Sequence, residues 1–556
     1  MAKDKLKTNN TKKPAQTVAP PQTSAPARPG QMIPEWVGIG LLLLLAAVLR
    51  WAFLDIPLER DESVYYYAGK IALDGGRPYF DFYEMKPPGL FYSYALLVAL
   101  FGYSGVGAHL ALLFVSLSNT LFTYLIARKF GDTRMALIAA MAFVFFSIHP
   151  GASGVYLEGE HVALLWGLPG TWLALQYPER TNRYLLLGSG FLLSLAVLVK
   201  QTAGVFGLSI VIYWLSRWWT GRREQSLKPL IWWVAGGLLP LLGAFLVIWA
   251  SGSLQYARFW LYEYPQHYAT STNEDNAGLY FRTSWTLVST GYLGYYIVAG
   301  LGLPVLWWSR LSVSAKTFLT AWTLLSAFTI VPGLRFYGHY YLMAFPAASI
   351  AGALLFSTIG TRISKKETIP LALTILGLLW GAHHFLIRSN LYIRPPLQFI
   401  SRVYSPGNPF VEHQMLSDEL KKVIQPNDTV AVFGSDLQYF IYLGKTSPIR
   451  HVYMPFFAKN QFAEIRGWQE EIIQKLKETR PKYVIFNAYP YAWMMRFDQE
   501  GSFAQQIVAC LQQPDYDPYI FIEADSKSKP AVVKYKVQQG MVKNKVNFIQ
   551  VFKRRD

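Results

Sequence analysis

Cysteine is almost missing from this chain: Cys510 is alone in 556 residues. An intrachain disulfide and any cysteine-based zinc site are therefore excluded, and each folded part has to be held by its own packing. Charge is scarce too, at 15% of residues against 52% hydrophobic, which is too apolar for a soluble enzyme of this length. Acids are the minority sign, 34 against 52 Lys and Arg, leaving a formal charge of +18. That excess does not point to nucleic acid, because the basic residues gather in the N-terminal tail and in short loops between apolar runs, where they encode orientation. No internal repeat is evident, and the ionisable residues of interest cluster at the ends of apolar runs rather than at their middles. Both absences argue against a transporter or lipid flippase.

What the sequence has in quantity is aromatic and apolar. Its 18 Trp, 35 Tyr and 35 Phe suit rings placed at the headgroup level of a bilayer. Residues 1–32, rich in Lys, Thr, Pro, Gln and Ala, read as a disordered cytoplasmic tail. The apolar run after it has no small-residue cleavage site and reads as an uncleaved anchor. Runs long enough to cross a bilayer fall near 33–53, 105–127, 133–150, 160–177, 184–200, 201–217, 230–250, 286–307, 317–332, 339–359 and 368–387. The expectation is a polytopic α-helical membrane protein of about eleven transmembrane helices.

The run LFYSYALLVALFG at 90–102 is too short for a crossing and is decided by charge. If it crossed, the basic loops 127–134, 180–183, 217–228 and 361–367 would all lie opposite the basic tail. As a juxtamembrane helix it leaves them all on the tail's side, as the positive-inside rule asks. That choice sends loop 54–89, segment 150–160, the turn at Lys200, loop 251–285 and segment 332–341 to the outer face. Asp61, Glu62, Glu84, Lys86, Glu158, Glu160, Lys200, Arg335 and His339 then ring one extracytoplasmic cavity. After 390 the hydropathy falls, and NDTVAVFGSDLQYFIYLGK, GWQEEIIQKLKETR and PKYVIFNAYP alternate strand and helix patterns. Residues 391–556 are thus expected to form a soluble extracytoplasmic α/β domain over the same cavity.

The chemistry is expected in ERDESVYYYAGKIALDGGRPYFDFYEMKPPG, the stretch after the first apolar run. A carboxylate there can take a proton from an acceptor hydroxyl, and cations can meet the charge of a departing phosphate. Asp61 is the first choice for the base and Glu62 the second; Glu59 reads as surface. Lys86, Lys200 and Arg335 form the expected phosphate clamp, with His339 and Tyr340 adding hydrogen bonds. The bland alternative for the lysines is snorkelling at span ends. Glu84, Glu160 and Tyr156 are assigned to the cavity wall or acceptor site. Glu158, Glu160, His161 and His149 carry metal-ligating groups without a specific spacing, so no metal ligand is assigned, although a divalent ion remains compatible. WLYEYPQHYATSTNEDNAG at 260–278 suits stacking on sugar rings or lying in the interface.

These residues, the DE pair after the first span, KPPG before a short aromatic run, a later outer-end Glu and RFYGHYYL near the last spans, resemble the GT-C superfamily of integral membrane glycosyltransferases. Within it the chain is most similar to the dolichyl-phosphate-mannose protein mannosyltransferase-like branch of bacteria, which includes the lipid A aminoarabinose transferases. The resemblance spans roughly 33–390. It implies Asp61 as base or acceptor-orienting residue with Glu62 beside it, Lys86 on the donor phosphate, Glu160 as the later acid and Lys200 as the lysine after the next span. In those transferases an acid and a lysine are adjacent, whereas here Met85 separates Glu84 from Lys86. The resemblance further implies a polyprenyl-phosphate-linked sugar donor, an inverting transfer at the outer face of a bacterial inner membrane, and a lipid, glycan or protein acceptor. A ligase or polymerase of lipid-linked glycans is the alternative on the same scaffold.

Overall fold

The computed structural model describes residues 34–221, 228–270, 276–363, 408–459, 462–494, 501–512, 514–523, 533–535 and 547–555. Its membrane part is built from α1 (Glu35–Trp51), α2 (Arg60–Leu73), α3 (Gly89–Phe101), α4 (Gly105–Ala127), α5 (Thr133–Ser147), α6 (Gly159–Arg180), α7 (Arg183–Val199) and α8 (Gly204–Thr220). There follow α9 (Leu230–Ala250), α10 (Leu254–Arg258), α11 (Tyr264–Thr270), α12 (Ala277–Ser289), α13 (Leu293–Leu306), α14 (Val313–Phe328) and α15 (Phe345–Ile363). Every apolar run expected between 33 and 359 falls on helix. The tail 1–32 and the run 368–387 lie outside the described residues.

Among the described residues, four stretches are long and apolar enough to cross a membrane singly: Gly105–Ala127, Leu230–Ala250, Val313–Leu334 and Gly338–Gly360. The run expected over 286–307 is not one rod. α12 and α13 meet at a 102° bend, where Gly291 takes a left-handed φ of 77° that a residue with a Cβ would resist. α5 and α7, of 15 and 17 residues, are shorter apolar helices. α3 has 13 residues, a rod of about 20 Å against a hydrocarbon core of about 30 Å. It buries Leu90, Phe91, Tyr94, Leu97 and Val98 and packs on α2, α4 and α7.

α9 leaves most of its leucines exposed, as a lipid-facing helix does, and is held mainly by α7. The two meet at glycine. A Cβ on Gly190 would lie 1.9 Å from the carbonyl oxygen of Trp233, and one on Gly236 would lie 2.1 Å from that of Leu187. Small residues let helix backbones approach where no hydrophobic effect drives association. Gly190→Leu is therefore expected to cost about 1–3 kcal/mol through overpacking, read as a lowered unfolding temperature in detergent; Gly188→Leu is the control, since a Cβ there meets only the side-chain tip of Leu173.

The soluble part holds a five-stranded sheet of order β1-β2-β5-β3-β4, with β1 (Val430–Phe433), β2 (Tyr483–Ala488), β3 (Tyr516–Glu523), β4 (Val533–Tyr535) and β5 (Phe548–Arg554). β1 and β2 are parallel, joined through the helices Gln438–Leu443 and Ala463–Thr479, and every residue of both strands is buried. That explains their unbroken apolar runs, since a strand covered on both faces loses the alternation of a half-exposed one. β3 pairs antiparallel with β5, and the register shifts between Pro518 and Ile520, the kind of place where a strand tolerates proline.

The two parts are stapled by aromatic rings. Trp260, on a π-helical turn at Phe259–Glu263, stacks between Tyr83 of the first loop (4.8 Å, 9°) and Trp468 of the soluble part (5.6 Å, 12°). This corrects the expectation for the 260–278 stretch: its leading tryptophan is fully buried, and its ring is spent on joining the two parts. Residues 271–275, the tip of that stretch, lie outside the described residues.

Candidate functional site

The site begins at the first turn of α2. Glu59 caps this helix, its carboxylate accepting from the N–H groups of Asp61 (2.6 Å) and Glu62 (3.3 Å), while Glu62 Oε2 accepts from the Glu59 N–H in return. This reciprocal cap satisfies helix N–H groups that have no intrahelical partner. Glu59 is thus the residue that shapes the turn, against the expectation that it is merely surface. Burial and the nearby Asp61 push its carboxyl up to about 8.

Three successive side chains leave that turn in different directions. Arg60 reaches the soluble part. Glu62, fully buried, accepts from the Leu157 N–H at 2.8 Å and lies 3.4 Å from His109. Asp61 points between them, its carboxylate grouped with Glu158 and His339 so that one ligating atom of each lies within 4.8 Å of the others. Of the expected acidic pair, only Asp61 faces the other candidate groups, and Glu62 is engaged in holding the loop before α6. Tyr156 is equally buried, packed near His109 with ring centroids 6.4 Å apart, and does not line an open cavity.

Loop 82–88 brings the next pair. Glu84 and Lys86 meet at 3.9 Å despite the intervening Met85, whose carbonyl is turned away to accept from Gln201. Lys86 donates to the Tyr65 hydroxyl and sits 4.4 Å above that ring. Tyr65 is one helical turn beyond Asp61, on the same face, a partner that the i, i+4 spacing makes visible in the sequence. Burial raises the Glu84 carboxyl above the usual carboxylate range, opposed by Lys86. For Lys86 burial works toward the neutral amine, but the surrounding Glu84, Asp61, Glu160 and Glu158 prevail and raise it.

α6 starts at the same place. Glu158 is its N-cap and Glu160 stands in its first turn, both buried. Burial, reinforced by Glu59 and Asp61, raises Glu158 well above the ordinary range. Glu160 is bonded to Lys200, which ends α7 in an extended conformation (φ −151°, ψ 125°) and lies 4.3 Å over the Tyr340 ring. The helix break before Gln201–Ala203 is what aims this lysine inward. His339 lies 3.8 Å from Glu158 and 3.9 Å from Glu160. Arg335 approaches from the rim, 4.0 Å above Tyr268. It is flanked by left-handed residues, Leu334 (φ 52°) and Phe336 (φ 50°), a backbone that side chains with a Cβ adopt at a cost.

Asp61, Glu84, Lys86, Glu160, Lys200, His339 and Tyr340 therefore converge, with Arg335 at the edge. Of the metal-ligating groups weighed in the sequence, His149 is engaged by the Gly151 N–H (2.9 Å) and Val288 carbonyl (2.7 Å), and His161 by the Glu158 N–H (3.4 Å). Among the described residues, the groups close enough together to share a divalent ion are Asp61, Glu158 and His339, an oxygen-rich set with one imidazole.

Residues 85–249 match the family described as dolichyl-phosphate-mannose-protein mannosyltransferase. ArnT from Cupriavidus metallidurans bound to undecaprenyl phosphate is similar to this chain, with 14% identity over 93% of this chain and 98% of that one and a TM-score of 0.57. The same protein in its apo state gives 13% identity over 93% and 97%, with a TM-score of 0.56. The apo oligosaccharyltransferase of Archaeoglobus fulgidus gives 14% identity over 92% and 75%, with a TM-score of 0.49. No curated protein matches the sequence. The fold is the one seen in ArnT.

Proposed function

We propose that the protein is a membrane glycosyltransferase that moves a sugar from a polyprenyl phosphate to an acceptor hydroxyl at the extracytoplasmic face of a cell membrane, inverting the anomeric centre. The single observation that carries this reading is a cluster in which the partly exposed carboxylate of Asp61 is grouped with Glu158 and His339, Lys86 stands within its electrostatic reach and Lys200 is bonded to Glu160, where the ends of α2, α6 and α7 meet the 332–341 segment. The family match over 85–249 and the ArnT fold support it, one ArnT structure being bound to undecaprenyl phosphate.

In this reading the acceptor oxygen attacks the anomeric carbon as its proton passes to Asp61. The bond from that carbon to the donor phosphate breaks on the opposite side, and the lipid phosphate leaves with the electron pair. Lys86, Lys200 and Arg335 meet the charge that grows on the phosphate, and Tyr340 and His339 hold them in place. Asp61, Glu158 and His339 would hold a divalent ion, which supplies added positive charge for the phosphate and relieves the repulsion among the acids.

The test is purified protein in detergent with a panel of polyprenyl-phosphate sugars, with and without EDTA, followed by mass spectrometry of the lipid. Release of polyprenyl phosphate with a glycosylated acceptor is expected. A folded protein that consumes no donor of the panel, in either condition, overturns the reading. EDTA lowering the rate, with recovery on adding a divalent ion, is the outcome expected if the acidic group binds metal.

A further inference from the structure

The soluble part holds the turn that carries Asp61. Leu58, three residues before it, has both backbone groups taken by the helix Gln438–Leu443: its N–H donates to the Tyr442 hydroxyl at 2.7 Å, and its carbonyl accepts from Gln438 Nε2 at 3.4 Å. Arg60, immediately before Asp61 and itself buried, donates to Asn408 Oδ1 at 2.9 Å and lies 3.7 Å from Asp436 Oδ1. Asp436 is completely buried in the turn after β1, and its second oxygen accepts from the Tyr489 hydroxyl, just beyond β2. Since that hydroxyl donates to Asp436, it accepts from His413 Nε2 at 3.1 Å, which fixes the protonated nitrogen of His413.

A buried carboxylate is costly unless paired and hydrogen-bonded, and breaking such a pair leaves an uncompensated charge. Here side chains from the helix Phe410–Lys421 and from the ends of the parallel strands β1 and β2 converge on one contact with α2. Such an arrangement admits essentially one rotation of the α2 turn. With Glu62 tied below it to the Leu157 N–H, Asp61 is left facing Glu158 and His339.

We infer that Asp436 is a positioning residue for the proposed transfer: through Arg60 it orients the first turn of α2, so that the soluble part completes the active centre. The inference rests on Asp61 being the base, as proposed above. A misplacement of about 1 Å at a reacting group can cost about 10²-fold in rate, so a group that fixes this turn acts on kcat while leaving the phosphate clamp untouched.

The experiment uses the full chain with Asp436→Asn. Expected are a kcat lower by about 10–100-fold with KM for the polyprenyl-phosphate donor within about 2-fold, and faster hydrogen exchange in 57–64 but not in 84–88 or 196–203. In an Asp61→Asn background the same change is expected to alter the residual rate by less than about 2-fold, because no base remains to be misplaced. A wild-type kcat, or an equal loss in both backgrounds, overturns the inference. Where Asp436→Asn does not fold, Tyr489→Phe keeps the carboxylate and removes one hydrogen bond to it. A loss of about 3–10-fold is expected there, and wild-type kcat with wild-type exchange overturns the inference. If the unaltered protein transfers no sugar at all, it is the functional reading that fails, and the exchange of 57–64 still decides whether Asp436 orients the turn.

Discussion

Asp61→Asn is expected to lower sugar transfer by about 10²–10⁴-fold, the range for removing a general base, while the unfolding temperature, and donor binding measured with EDTA present, stay near those of the unaltered protein. Asparagine preserves the shape of the side chain. The cap of α2 is made by Glu59 and Glu62 and the anchor by Arg60, so none of the contacts that hold the turn is lost. Asparagine keeps a carbonyl oxygen that orients an acceptor hydroxyl but cannot accept its proton. The decisive comparison is kcat with a poor and a good acceptor at saturating donor. Full activity in Asp61→Asn would remove this residue from the mechanism, and Glu158, grouped with it and His339, would be the next carboxylate to replace.

Lys86→Met is expected to raise the donor Kd by about 10–100-fold, the worth of a hydrogen bond to a charged group, with acceptor KM unchanged. Three cations belong to this cluster or its edge, and they are not equivalent. Lys200 is bonded directly to Glu160, so its charge is already answered. Arg335 stands on the Tyr268 ring at the rim. Lys86 has its nearest paired carboxylate, Glu84, at 3.9 Å, and burial holds that carboxyl protonated to a higher pH than usual. The sign follows: below the raised Glu84 value the acid is neutral and cancels none of the Lys86 charge, and above it the two charges cancel in part. Donor affinity is thus expected to fall as pH rises through that value, and Glu84→Gln is expected to flatten the dependence at the tighter level. An unchanged donor Kd in Lys86→Met would return Lys86 to the role of a lysine snorkelling at the membrane surface.

Much of this architecture was legible because apolar length is a strong signal: the runs between 33 and 359 fall on helices, and the β1 and β2 sequences read as strands from their β-branched, unbroken stretches. The bend at Gly291 was not legible, since a helix pair at 102° and a single rod have the same hydropathy. Within the candidate site, residue type singled out Asp61, Lys86, Lys200 and His339, which the fold brings near one another, because ionisable side chains near membrane depth are rare. Direction was harder. Asp61 and Glu62 are adjacent acids at a helix start, and only the Leu157 N–H and His109, more than forty residues away in the chain, decide that one is buried and the other faces the pocket. Glu59 was not legible as the cap, because the usual capping pattern opens on Ser, Thr, Asp or Asn and here a glutamate takes that place. Trp260 could not be recognised either, because its partners Tyr83 and Trp468 come from opposite ends of the sequence.

The clasp of the Gln438–Leu443 helix on the backbone of Leu58 bears on how this protein can be made smaller. A shortened chain ending near residue 390 would keep every helix described between 35 and 363 and still lose the Tyr442 and Gln438 hydrogen bonds to Leu58 and the Asp436 partner of Arg60, leaving the first turn of α2 unheld. The membrane bundle is accordingly expected to lose stability when the sheet is removed. Anyone seeking a minimal version for crystallisation or for grafting new specificity has to carry the sheet along with it.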